Sequence, residues 1–197
     1  MDTSYVRAET LVGARVAPLG WVRTALVVVA FSLLTALAAQ VVVPLPFTPV
    51  PVTGQTFAVL LTGALLGSRL GALAMLLYLA EGAAGLPFFR QGNGGAAYLL
   101  LTPTAGYLFS YPLAAFITGW LAERGWDRRY LSAAAAMLLG SLVILACGWA
   151  WLARLTSPEA AFWTGVAPFI PGDLVKIALA AAVLPTGWAL LKRGASN

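Results

Sequence analysis

Histidine is absent from this sequence of 197 residues, cysteine occurs once, and Asp, Glu, Lys and Arg together supply only 10% of it. With no histidine and only Cys147, neither a disulfide nor a His or Cys metal cluster can be assembled, so redox and zinc chemistry are disfavoured. The usual general base is missing, and the chain has no HExxH helix, no GxSxG elbow and no GxxxxGK[ST] phosphate loop. The expectation is a protein that is not an enzyme, holds no cofactor and does not itself use ATP through a phosphate loop. A formal charge of +5 would suit a nucleic-acid binder, but no dense basic run or basic-aromatic alternation accompanies it, and no nucleic-acid partner is expected.

What is present is apolar length. The composition is 60% hydrophobic with a mean hydropathy of +0.86, well above a soluble domain, which predicts an all-α integral protein of the cytoplasmic membrane with the lipid bilayer as its surroundings. Spans are expected at residues 24–43, 53–67, 70–84, 103–122, 131–153 and 171–191. Residues 1–20 carry Asp2, Arg7, Glu9 and Arg15 and no compact apolar core, so the first span reads as uncleaved. The second and third apolar runs could instead form one helix, and the distribution of positive charge decides between five spans and six. Six spans put nine basic residues on the cytoplasmic side (Arg7, Arg15, Arg23, Arg69, Arg124, Arg128, Arg129, Lys192, Arg193) against Arg90 and Arg154 outside; five spans give five against five. Six also removes Arg69 from mid-membrane, where it would cost at least about 2.5 kcal/mol. The predicted architecture is one membrane domain: a cytoplasmic segment 1–23, a six-helix bundle 24–191, a cytoplasmic tail 192–197, and both termini inside. The second and third spans are short and must be shielded by other helices.

In this topology every long loop is extracellular. PLPFTPVPVTGQT (44–56) sets a polar tip, including Gln55, on a proline-stiffened stem. GLPFFRQGNGG (85–95) joins Phe88 and Phe89 to Arg90, Asn93 and the close-approach glycines such as Gly94, a mixture suited to a neutral polar ring. PFIPGDLVK (168–176) places Asp173 at the positive start of the last helix and Lys176 one turn on. Plainer readings stand beside these: a stiff outer turn, a flexible surface loop, and an interfacial ion pair with Lys176 snorkelling outward. Burying two charges costs several kcal/mol per ion before pairing, so structure alone is a weak reason to keep Asp173 and Lys176. In the first span, Ser32 with Ala36 and Thr35 with Ala39 form a small-residue stripe, which serves packing within the chain or docking of another subunit.

Taken in order, PVTGQT, GLPFF with NGG, TPTAGYL (102–108, containing Tyr107) and PFIPGDLVK resemble the BioY family, the biotin-specific substrate-capture (S) components of energy-coupling factor transporters. The resemblance covers about residues 25–191. It implies a six-helix protein that binds biotin from outside and works with a transmembrane coupling protein and two cytoplasmic ATPases, some members functioning without them. The family's acidic, basic and polar loop positions match Asp173, Lys176 and Asn93. Thr102 and Ala105 stand where glycine is more usual, and Arg90 where a small residue is expected. The candidate substrate-binding set is Asp173, Lys176, Asn93, Arg90, Gln55, Gly94, Tyr107 and Phe89, and the candidate partner-binding set is Ser32, Ala36 and Ala39. An S component for another vitamin, a stand-alone secondary transporter, and more distantly a membrane enzyme or assembly factor remain as alternatives.

Overall fold

A computed structural model describes residues 10–12 and 20–194; residues 1–9, 13–19 and 195–197, which hold much of the expected cytoplasmic segment and tail, lie outside the described residues. Its long helices are α1 (Trp21–Gln40), α2 (Gln55–Leu66), α3 (Ser68–Ala83), α5 (Ala105–Ala122), α6 (Tyr130–Leu155) and α8 (Ile170–Gly194). They fall on the expected spans with ends moved by up to three residues. Two short helices, α4 (Ala96–Leu101) and α7 (Pro158–Gly165), lie in segments read from the sequence as non-helical. For α7 the signal is local: Ser157 caps the helix, its hydroxyl accepting from Ala160 N at 3.2 Å, and Pro158 opens it. A two-residue antiparallel ladder, β1 (Val42–Val43) with β2 (Val52–Thr53), closes the proline loop into a hairpin, a small departure from an all-α chain.

The helical stretches Trp21–Gln40, Tyr130–Leu155 and 158–189 are each long and apolar enough to cross a membrane. By contrast α2 has 12 residues. At 1.5 Å per residue that is about 18 Å, well short of the roughly 30 Å hydrocarbon core. Its shortness is accommodated as expected, for most of its side chains are buried among other helices. The turn between α2 and α3 sits at Gly67, whose φ of 87° breaks the helix. Glu123, at the end of α5, then accepts from Ser68 N at 2.7 Å and Ser68 Oγ at 2.9 Å, filling the donors that open α3.

The centre of the bundle is α5, which packs on α2, α3 and α6. Glycine makes this approach possible: a Cβ at Gly63 would collide with the Ala115 carbonyl, and one at Gly119 with the backbone of Gly67 and Ser68. Away from the core, Leu26, Leu37, Leu73, Leu131 and Val175 are exposed, as lipid-facing positions require. The small-residue stripe of α1 faces the other way. Ser32, Thr35, Ala36 and Ala39 are all buried, with the Thr35 hydroxyl bonded to the Phe31 carbonyl at 2.9 Å and set 3.9 Å from Met75 Sδ of α3. Ser32, Ala36 and Ala39 are packed within the chain in this structure, and the outward face of α1 carries Leu26, Leu33 and Leu37.

Candidate functional site

The three long loops at one end of the bundle are tied to one another and to the helices beneath them. Gln40, ending α1, donates from Nε2 to the Phe89 carbonyl at 3.2 Å and accepts from Gly92 N at 2.9 Å, which holds the turn at Arg90–Gly92. The Thr48 hydroxyl donates to the Thr164 carbonyl, joining the proline hairpin to α7. Tyr107 donates to the Gly165 carbonyl at 2.6 Å, joining α5 to the same helix.

Beneath these ties lies a narrow pocket with about 530 Å³ of empty space, open solvent at its mouth included. The start of α2, Phe89 and Arg90, α4, the N-terminal half of α5, α6 and the first turns of α8 all contribute to its lining. Its charged floor is Asp173 and Lys176, brought to one side by their spacing in α8. Their mutual bond is long, Nζ to Oδ1 at 3.4 Å. Each has a shorter bond to a hydroxyl on another helix: Lys176 donates to Thr56 Oγ1 at 2.7 Å, and Asp173 Oδ2 accepts from Ser141 Oγ at 2.6 Å. The pair is thus anchored from opposite sides and retains capacity toward the cavity.

The walls are aromatic. Phe89 is fully buried, stacked on Tyr98 with ring centroids 5.3 Å apart and edge-on to Tyr78 at 5.8 Å. It lies directly over Gly82, where a Cβ would strike its ring. Tyr107 and Phe169 sit 6.1 Å apart on another side. Gln55 Nε2 donates to Tyr78 OH at 2.6 Å, its Oε1 accepts from Thr53 Oγ1 at 3.0 Å, and the Tyr78 hydroxyl in turn donates to the Phe88 carbonyl at 3.1 Å. This chain braces the hairpin against the Phe88–Phe89 segment. Arg90 donates from Nε to Tyr98 OH at 2.8 Å and has no carboxylate partner among the described residues.

Of the expected binding residues, Asp173, Lys176, Arg90, Gln55, Tyr107 and Phe89 line this one pocket; Asn93 and Gly94 do not. Asn93 is exposed, and its Nδ2 donates to the Arg90 carbonyl at 2.8 Å, so it shapes the turn that presents Arg90. Gly94 backs against the Leu86 carbonyl, where a Cβ would collide.

A family model described as the BioY family matches residues 7–193. The chain belongs to the BioY family. Among relatives of this BioY-family chain, a probable biotin transporter BioY from Pyrococcus horikoshii is 44% identical over 153 residues, 78% of this chain and 88% of that protein. Biotin transporters BioY from Rhizobium etli and Rhodobacter capsulatus are 38% and 41% identical, covering 75% and 79% of this chain and 87% of each relative. A crystal structure of the S-component for biotin from an ECF-type ABC transporter superposes with a TM-score of 0.76 at 26% identity, covering 84% of this chain and 90% of that one.

Sequence reasoning about this BioY chain missed Tyr98, Tyr111, Phe169 and Ser141. Tyr111 and Ser141 sit inside apolar helices and read there as core, with no motif around them. Tyr98 had a usable signal, an aromatic three residues beyond a Gly-Gly pair in a loop already suspected of binding.

Proposed function

We propose that this protein is the substrate-capture subunit of a biotin uptake system, a multi-pass membrane component that takes biotin from outside and passes it inward with an energy-coupling module. The observation that carries this reading is the buried Asp173 with the partly buried Lys176, hydroxyl-anchored beneath an aromatic cage, with Arg90, a cation with no carboxylate partner among the described residues, at its side. Biotin has a ureido ring with two N–H donors and one carbonyl, an apolar bicycle, and a tail ending in a carboxylate. Asp173 accepts from the ureido N–H groups and Lys176 donates to the ureido carbonyl. Phe89, Tyr98, Tyr107 and Phe169 enclose the bicycle, and Arg90 meets the tail carboxylate. The charges balance: the acid and base cancel, leaving one positive charge for a singly negative ligand.

Six spans with both ends cytoplasmic fit this role, since the pocket then opens outward and the basic turns at Arg69 and Arg124–Arg129 face the cytoplasm. The membrane domain runs over residues 24–191, with 1–23 and 192–197 as its cytoplasmic extensions. The module consists of a transmembrane coupling protein and two cytoplasmic ATPases, which supply the nucleotide chemistry that this chain lacks. Calorimetric titration of the purified protein with biotin tests the reading. Asp173→Asn and Lys176→Ala should each weaken binding by about tenfold or more, as expected on loss of a charge-assisted bond in a dry site. Unchanged affinity in both would sink the assignment.

A further inference from the structure

Hydroxyls in these helices mostly turn back on their own backbone. Ser32, Thr35, Ser110, Thr118 and Thr186 each donate to a carbonyl three or four residues earlier. Ser141 departs from that habit. Its hydroxyl leaves α6 and donates across to Asp173 Oδ2 of α8 at 2.6 Å, with both residues buried and Ser141 not itself among the pocket-lining residues. A bond of this length between a hydroxyl and a carboxylate is charge-assisted and directional. It uses one carboxylate oxygen and fixes the plane of the group, leaving Oδ1, with Lys176 at 3.4 Å, as the oxygen available to a ligand.

We propose that Ser141 is a positioning residue for biotin capture: without touching biotin, it holds the Asp173 carboxylate so that Oδ1 presents to the ureido ring. Thr56 does the equivalent for Lys176 from α2, though it also lines the pocket and its effects would mix positioning with contact. This inference rests on the biotin reading and adds to it a residue that lies behind the site. The geometry explains why the acid and base do not close on each other. Each is held by a neutral hydroxyl, so a ligand can enter between them without first breaking a tight ion pair.

The test is a double-mutant cycle on purified protein, read by biotin titration. Ser141→Ala should weaken biotin about tenfold, the scale of one hydrogen bond to a charged group. In an Asp173→Ala background the same change should alter affinity by less than about twofold, because the interaction it removes is already gone. Equal losses in both backgrounds would mean that Ser141 acts through general packing, and no loss in either would overturn the proposal outright. If Asp173→Ala itself leaves affinity unaltered, the biotin reading fails; if it weakens biotin while Ser141→Ala matches wild type, only this assignment fails. Where Asp173→Ala binds too weakly to titrate, the carboxylate stretch of Asp173 decides, isolated as the infrared difference between wild type and Asp173→Asn in ligand-free protein. It should move in Ser141→Ala, and an unmoved band refutes the proposal. Should Ser141→Ala not fold, Ser141→Cys keeps the volume with a weaker donor and is read by the same band, with the same two outcomes.

Discussion

Replacing Arg90 by alanine separates the two ends of the proposed ligand. The guanidinium is held through Nε by Tyr98 OH at 2.8 Å, which turns it without consuming its NH₂ groups, and no carboxylate among the described residues competes for them. At 4 Å and an effective dielectric near 20, the attraction for a carboxylate reaches about 4 kcal/mol. Solvent at a pocket mouth lowers this, and exposed pairs measure only about 0.2–1 kcal/mol. Half-buried as Arg90 is, it falls between these limits, near the roughly 1.5–3 kcal/mol of a hydrogen bond to a charged group. Arg90→Ala should therefore weaken biotin by about ten- to a hundredfold. The assay is calorimetric titration with biotin and with its uncharged amide. The amide keeps the ureido ring and bicycle, so it should lose less than about threefold if the loss is specific to tail charge. Equal losses for the two ligands would refute the reasoning, because Arg90 would then be acting on the loop and not on the carboxylate. Tyr98→Phe, which removes the hydroxyl but keeps the ring stacked on Phe89, should show the same bias toward biotin at smaller amplitude.

Two further predictions concern parts of the fold that the ligand does not touch. Gly82→Ala drives a methyl into the Phe89 ring, and on the roughly 1–3 kcal/mol scale of overpacking it should cut biotin affinity about tenfold; unchanged affinity would mean that Phe89 is not a fixed wall. In the turn between α5 and α6, Asp127 is almost wholly buried with no partner for Oδ1 among the described residues, and burial lifts its carboxyl above the usual range, opposed by the Trp188 indole N–H at 2.6 Å and by Arg128. A carboxyl raised in the folded state contributes stability that is full below its unfolded value, near pH 4, and is lost as pH rises through the folded value. Asp127→Asn should abolish that decline, so its melting temperature should gain on wild type as pH rises above about 4; a constant difference between the two melting curves would contradict it.

Much of this architecture was legible in the sequence because lipid leaves the backbone few choices. Runs of apolar residues became helices, the chain turned at Gly67 just before Arg69 in the first turn of α3, and Asp173 with Lys176 emerged on one side of the last helix. The small-residue stripe was less informative, since such residues serve close packing whether the neighbour lies in the same chain or another; in this structure Ala36 and Ala39 are buried against the rest of the bundle. The motif around Asn93 was also ambiguous. A polar residue between glycines suits a ligand contact or a turn, and here its Nδ2 donates to the Arg90 carbonyl. Tyr111, which lines the pocket, and Ser141, which lies behind it bonded to Asp173, were invisible because each sits inside an apolar helix and, taken one at a time, looks like core.

Native mass spectrometry of the protein purified from cells grown with biotin, followed by titration against a panel of other vitamins, tests the central claim most directly. The account predicts one biotin per chain, displaced by none of the other vitamins and lost in Asp173→Asn. A different vitamin retained in the pocket, or biotin retained equally by Asp173→Asn, would contradict it.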